Sequence, residues 1–303
     1  WVRPKAWVPV MGTPLLDYWI WRLHKCGFEG VVVNAYHLSD KLVKAVRETS
    51  RPIPLDVRVE TTLLGTGGGI RNALDFFADE PFVVINGDIL CSVDLAGLYV
   101  QHVASKSSVS LLLHDFPEFN NVAVHGDSIL GFGGEASKIV QERRATRLFA
   151  FTGIHVVSPQ VLSALERGLS HAIIPVYRNL IKSGNPPRAL FDKSMRWREI
   201  GSVEAYRTLH SELVELPPDS FPPLNSGQRI CLHPTAEICS NVDLKGMVIV
   251  GRKTRIMESV KLENVILWDD VQIQAKSRLR NCIVTDGLTV TGVHENEILF
   301  ESE

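Results

Sequence analysis

Cysteine is scarce and unpatterned in this chain: Cys26, Cys91, Cys231, Cys239 and Cys282 are the five among 303 residues. Their number is odd, none forms a Cys-x-x-Cys, and no histidine is interleaved at zinc-ligand spacing. That excludes a disulfide framework and a structural zinc module. Each cysteine reads as a small buried apolar residue, and a reducing, cytoplasmic setting is expected. No apolar run approaches the length needed to cross a bilayer, and the N-terminus, with Trp1, Trp7 and Trp19, lacks a signal-peptide layout, so no membrane association is expected. Charge of one sign never accumulates either. The 32 basic and 34 acidic side chains are interspersed, giving a net charge of -2 and no basic footprint for nucleic acid. No Gly-x-Gly-x-x-Gly opens a helix and no Gly-Lys-Ser/Thr occurs, which sets aside the dinucleotide fingerprint and the Walker loop.

What is present is enough for two cores: a hydrophobic content of 45% over a length that exceeds a typical single domain. Through the first two thirds, apolar β-branched runs alternate with amphipathic segments, the pattern of a Rossmann-like α/β fold with a mixed, mostly parallel sheet and helices on both faces. Strands are expected at 31–35, 55–60, 81–86, 108–113 and 149–157. Helices are expected at 14–26 closing at Gly27, 39–49 with Ser39 as N-cap, 69–77, 173–182 stopping at Gly184, and 203–213. The texture then changes. Residues 214–229 carry Pro217, Pro218, Pro222 and Pro223 and can hold neither helix nor sheet ladder, so they read as a linker between domains at 1–213 and 230–303.

Past the linker, every sixth residue is large and apolar: Leu232, Ile238, Leu244, Val250, Ile256, Leu262 and Trp268. A second register, Ala236, Val242, Val248, Thr254, Val260 and Ile266, is small or β-branched. Two coincident six-residue registers describe a triangular coil in which each segment points its anchor inward. Beyond Trp268 the phase slips, with Ile273 and Leu279 continuing from a shifted start. An antiparallel sheet also has a period that divides six, but it needs turn signals that a strict hexad does not supply. The expected fold is a left-handed parallel β-helix built on a hexapeptide repeat.

Three stretches carry chemistry. In Arg3-Pro4-Lys5-Ala6-Trp7-Val8-Pro9-Val10, followed by Gly12-Thr13-Pro14-Leu15, a lysine held between a proline turn and a short buried run can present a fixed ammonium to phosphate. In Leu64-Gly65-Thr66-Gly67-Gly68-Gly69, between a strand and a helix, glycines let backbone amides approach a ligand, and the helix N-terminus favours anionic or carbonyl groups. In Phe82-Val83-Val84-Ile85-Asn86-Gly87-Asp88, a buried strand ends in a carboxylate where open α/β sheets collect ligands; by itself it reads equally as a turn aspartate capping the next segment or as a group that can hold Mg²⁺ against a triphosphate. The histidines form no set. His24, His37, His102, His155 and His171 read as surface or satisfied core positions.

These stretches, in this order, resemble the signatures of sugar-phosphate nucleotidyltransferases, the arrangement being closest to mannose-1-phosphate guanylyltransferases and their relatives. The resemblance implies that Lys5 contacts substrate phosphates, that Leu64, Gly65, Thr66 and Gly67 read the nucleobase through main-chain groups, and that Asp88 is a metal ligand beside the nucleotide. It places Gly153, in Thr152-Gly153-Ile154, close to the sugar, with Asn121 and Glu135 as sugar contacts and Lys138 as a basic partner. The closing stretch Trp197-Arg198-Glu199-Ile200-Gly201-Ser202, with Tyr206 further on, resembles the family's Trp-x-Asp-Ile-Gly-Thr motif, so Glu199 stands where the family has the aspartate that completes a magnesium site. Glutamate keeps the oxygen ligands and adds a methylene. The family's first strand and its Gly-x-Gly-Thr-Arg loop, expected ahead of Arg3, do not occur in these residues. The resemblance thus implies a Mg²⁺-dependent enzyme that joins a sugar 1-phosphate to an NTP and assembles as a homo-oligomer. Two other readings are open: a nucleotide-sugar-binding regulatory homologue without turnover, and an acyltransferase on the coil, for which His233 and His294 are the available histidines.

Overall fold

The computed structural model describes residues 2–301. Contacts divide the chain into two units, one formed by residues up to Trp21 together with those from Glu199 onward, the other by Arg22–Arg198. The chain opens with a 3-10 turn, Lys5–Trp7, and a ribbon of β1 (Pro9–Val10) and β2 (Thr13–Pro14) paired antiparallel. Helix α1 (Leu15–Lys25) ends as expected at Gly27, whose φ of 83° no side-chain-bearing residue adopts easily. Phe28 N donates to Leu23 O and Gly27 N to His24 O, which satisfies the last carbonyls of the helix.

The Arg22–Arg198 unit contains β3 (Val31–Ala35), α2 (Ser39–Glu48), β4 (Leu55–Val59), α3 (Gly65–Asn72), β5 (Phe82–Ile85), β6 (Ile89–Cys91), α4 (Leu95–Ser105) and β7 (Val109–His114). It continues through β8 (Val122–His125), β9 (Ser128–Phe132), α5 (Gly134–Glu142), β10 (Thr146–Val157), α6 (Gln160–Ser163), α7 (Ile173–Lys182) and β11 (Arg188–Phe191). Helix α2 begins on Ser39 itself, behind Leu38 at φ 54°, so Ser39 is not the N-cap expected from its side chain. The main sheet runs β5-β10-β7-β11-β9-β8. It is mixed, as expected, but its parallel share is small. β10 pairs antiparallel with β5, β7 and β8, and the β8–β9 hairpin turns through Gly126 at φ 62°; the parallel pairs are β7–β11 and, apart from this sheet, β3–β4. Among the described residues, β3 pairs only with β4 and β5 only with β10, although both are Val-rich. Beneath the sheet, Val109, Leu111, Leu113, Val122, Ile129, Phe132 and Val157 pack with Ile70, Leu162, Ile173 and Tyr177 from the helices.

From β12 (Trp197–Glu199) the chain enters α8 (Val203–Glu215), capped by Ser202, whose Oγ accepts Ala205 N at 3.1 Å. Residues 216–229 hold neither helix nor strand, yet Phe221 and Leu224 are buried and Gly227 N returns to Leu213 O. The linker is therefore folded onto its own unit.

The solenoid comprises β13 (Ile230–Leu232), β14 (Glu237–Ile238), β15 (Asp243–Val250), β16 (Arg255–Ile256), β17 (Lys261–Leu267), β18 (Gln272–Ile273), β19 (Arg278–Arg280), β20 (Ile283–Val284), β21 (Thr289–Val290), β22 (Val293–Glu295) and β23 (Ile298–Leu299). All of its pairs are parallel, which excludes the antiparallel alternative. β14-β16-β18-β21 make one side; β15 and β17 bend and serve the other two. The interior is lined by Ile238, Leu244, Val250, Ile256 and Leu262, as the hexad requires, whereas its first anchor, Leu232, is exposed; after Leu262 the next anchor is Leu267, followed by Ile273, Leu279 and Val284. The slip thus falls earlier than the sequence suggested. Leu262 sits opposite Leu244 whereas Val265 sits opposite Val248, so one residue is dropped at the corner holding Asn264. Trp268 is consequently buried outside the coil interior, where its Nε1 donates to Tyr206 Oη at 3.1 Å.

Each corner of the coil is a column of residues at positive φ: Gly246, Asn264, Asn281 and Asn296; Lys253, Asp270 and Gly287; Ser259, Lys276 and Gly292. In the first column the amides form a ladder, Asn264 Nδ2 donating to Asn281 Oδ1 and Asn281 Nδ2 to Asn296 Oδ1. Asparagine suits this place because it tolerates the left-handed region and its side chain can bond along the stack.

Candidate functional site

Lys5 is exposed at the start of its 3-10 turn, which Trp7 N closes on Pro4 O at 2.8 Å. Behind it, the β1–β2 ribbon turns through Met11 (φ 50°) and Gly12 (φ 80°), and Met11 is fully buried. A buried non-glycine residue in this conformation needs outside support. Two residues of α8 supply it: Met11 N donates to His210 Nε2 at 3.1 Å, and Tyr206 Oη donates to Pro9 O at 2.6 Å. Because Nε2 accepts, the proton of His210 sits on Nδ1, which donates to Tyr206 O at 2.8 Å. Burial pushes the His210 pKa down to about 4, consistent with a neutral imidazole in this role. His210 went unremarked in the sequence because its partner lies 199 residues away.

In the other unit, the glycine-rich stretch begins α3 at the carboxyl ends of β3 and β4. Leu64 N donates to Glu60 Oε2, Leu64 O accepts His171 N, and Gly68 N donates to His171 O. Its glycines have a packing reason beside any ligand. A Cβ on Gly68 would collide with Leu169 O, and one on Gly67 would stand 2.9 Å from His171 O. On Gly69 it would collide with Asn34 Nδ2 and meet Glu60 Oε1 at 2.9 Å. Asn34 and Glu60 therefore join this loop as candidate site residues that the motif reading missed. The rule that placed Asp88, that ligands gather where strands end, applies equally to the ends of β3 and β4.

Asp88 is half-buried just past the carboxyl end of β5. The structure brings the Thr-Gly-Ile stretch against Asn86, two residues before Asp88: Asn86 N donates to Gly153 O at 3.0 Å, and a Cβ on Gly153, at φ 80°, would lie 2.6 Å from Asn86 Nδ2. Glycine at 153 is thus required twice, by backbone conformation and by the close approach of Asn86. Trp197 fixes the same region, its Nε1 donating to Thr152 O at 2.9 Å while its ring meets Phe116 and Phe119 edge-on. Asn121 and Glu135 are exposed, and the residue just before α5 ties their segments together, Gly133 N donating to Asn121 O at 2.7 Å. Glu135 pairs with Arg178 at 3.5 Å, and Lys138 is exposed on the same helix, α5. Glu199 ends β12 with an exposed carboxylate next to Gly201.

Two expectations need correction. His155 is not a satisfied core histidine, because both ring nitrogens are buried without a partner among the described residues. Cys239 is exposed, whereas Cys91, Cys231 and Cys282 are buried as expected; all five are free thiols.

Residues 2–215 match the family model described as nucleotidyl transferase. The chain belongs to that family. It is 24% identical to a UTP–glucose-1-phosphate uridylyltransferase of Synechocystis over 98% of this chain and 78% of the relative. To a mannose-1-phosphate guanylyltransferase of Mycobacterium tuberculosis it is 24% identical over 90% of this chain and 76% of the relative. To an N-acetylmuramate alpha-1-phosphate uridylyltransferase of Caulobacter vibrioides it is 29% identical over 70% and 89%. Among solved structures, HddC from Yersinia pseudotuberculosis complexed with GMP-PN shares the fold, with a TM-score of 0.56 at 21% identity over 69% of this chain and 90% of that one. No helix among the described residues is long and apolar enough to cross a membrane.

Proposed function

We propose that this nucleotidyl transferase moves a nucleoside monophosphate from an NTP to a sugar 1-phosphate, releasing pyrophosphate and an NDP-sugar. The observation that carries the reading is the apposition of Gly153 and Asn86, which sets the Thr-Gly-Ile stretch against the strand end bearing Asp88. A phosphate oxygen of the sugar 1-phosphate attacks the α-phosphorus in line, and no covalent enzyme intermediate is needed. The protein's part is positioning and charge neutralisation. Lys5 meets negative charge on the phosphates; main-chain groups of Leu64, Gly65, Thr66 and Gly67 hold the base; Gly153, Asn121 and Glu135 face the sugar.

Among the described residues no three His, Cys, Asp or Glu side chains gather as a metal cage. Mg²⁺ takes one or two protein carboxylates and completes its octahedron with waters and substrate phosphate oxygens. Asp88 and Glu199 are the carboxylates that would hold it, and when bound it would neutralise charge on the triphosphate. Self-association belongs to the same reading, supported by Ile230, Leu232 and Val293, which the solenoid leaves exposed; light scattering checks it. A reducing cytoplasm is supported by the five free cysteines.

The named relatives span uridylyl and guanylyl transfer, so the deciding assay is a matrix of NTPs against sugar 1-phosphates, read by pyrophosphate release. One pair turns over under this reading, and Asp88→Ala abolishes the Mg²⁺-dependent rate with little loss of stability. Near-parental turnover in Asp88→Ala removes the assignment.

A further inference from the structure

Arg3 lies two residues before Lys5, and its side chain is only 8% exposed. The guanidinium is shared among four groups of its own unit. Nε and Nη2 grip the two oxygens of Asp286 at 2.6 and 2.5 Å, and Nη2 also donates to Asp269 Oδ2 at 2.8 Å. Nη1 reaches Trp7 O at 3.5 Å, and Cζ stands 5.4 Å from the centroid of the Trp268 ring. The carboxylates are themselves fixed in the coil: Asp269 N donates to Asp286 Oδ1 and Arg252 N to Asp269 Oδ1. Trp7 closes the 3-10 turn that Lys5 opens, so the guanidinium ties both flanks of Lys5 to two successive coils of the solenoid. A planar, permanently charged fork can satisfy this arrangement; an ammonium cannot.

We infer that Arg3, held by Asp286 and Asp269, is a positioning residue through which the solenoid sets the place of Lys5 for nucleotidyl transfer. This rests on the phosphate-binding role proposed for Lys5. It assigns the solenoid a part in the reaction that needs no ligand site in the coil. Displacing a charge-stabilising group by about 1 Å is enough to lower a rate by about two orders of magnitude, so loosening this clamp acts on turnover without touching substrate.

The experiment is a double-mutant cycle in the full chain, using Asp286→Asn, Lys5→Ala and their combination. Asparagine at 286 keeps the carbonyl oxygen for Asp269 N while removing the charge that grips Arg3. Asp286→Asn is expected to lower kcat about tenfold or more, and the same change in the Lys5→Ala background is expected to cost nothing further. Amide exchange at Lys5–Val8 quickens in Asp286→Asn, while the amides of β14, β16 and β18 keep their protection. Equal losses in both backgrounds, or unchanged exchange at Lys5–Val8, overturn the clamp. A parental rate in Lys5→Ala overturns the functional role of Lys5 instead, and exchange still decides whether the clamp exists. If Asp286→Asn does not fold, Arg3→Lys, which keeps the charge and loses the fork, takes its place with the same expected outcomes.

Discussion

His210 accepts the backbone amide of Met11, so the turn following the Lys5 segment is closed by a side chain from α8. The imidazole must be neutral to accept, and burial holds its pKa at about 4, below the 6.5 of an unfolded chain. The unfolded state therefore binds more protons between these values. The stabilisation is fully present above pH 6.5 and is lost as pH falls toward 4. Urea unfolding across pH 4 to 7 should show stability falling steadily on the acid side. His210→Leu should cost about 1–3 kcal/mol at pH 7 by leaving Met11 N unpaired, and it should flatten that acid limb.

His155 contributes to the same limb for the opposite reason. Burial alone holds its pKa at about 3, and neither ring nitrogen has a partner among the described residues, so the fold tolerates this imidazole at a cost. It lies between Phe151 and Tyr177, with ring centroids 5.4 and 5.8 Å away. His155→Phe should raise stability by about 1 kcal/mol at neutral pH, since an apolar ring of similar shape removes two unsatisfied groups. The gain should widen as pH drops below 6.5. A lower melting temperature at pH 7 would contradict this account.

The two histidines mark where the sequence was and was not legible. Signals carried by a few adjacent residues came through: Gly27 and Gly184 end their helices, Val31–Ala35 is a strand as expected, and the hexad lines the coil from Ile238 to Leu262. Trp268 was misplaced because one residue is dropped at the Asn264 corner, and a fixed count of six cannot register a deletion hidden in a turn. Likewise the motifs named Gly153 and Asp88 separately, but nothing local states that Asn86 requires a glycine beside it. Asn34 and Glu60 were missed for want of a motif, and His210 because a lone histidine on a helix looks the same whether or not a distant amide needs it.

Gly68, in the candidate nucleotide loop, should be far less replaceable than Gly134. Gly68→Ala drives a methyl into Leu169 O, a backbone atom that can move only with its segment, so a loss of more than about 2 kcal/mol is expected. Gly134, near the start of α5, has nothing within 4 Å of its would-be Cβ. Gly134→Ala should therefore gain about 0.5–1 kcal/mol from helix propensity and the stiffer unfolded chain. Melting temperatures of the two variants should move in opposite directions.

The solenoid corners allow a similar contrast within one structural role. Lys276 is exposed at φ 63°, with Ser259 and Gly292 in the neighbouring coils of its column. A left-handed residue with a side chain costs about 1–2 kcal/mol. Glycine removes that cost and adds about 0.5–1 kcal/mol of unfolded-state entropy, so Lys276→Gly should stabilise by about 0.5–1 kcal/mol. Asn281 occupies an equivalent corner at φ 51°, but its side chain joins Asn264 to Asn296. Asn281→Gly relieves less backbone strain, because asparagine tolerates this conformation, and it breaks both rungs of that ladder, so it should come out neutral or destabilising. If both substitutions stabilise equally, the amide ladder contributes nothing and backbone conformation alone selects the corner residues.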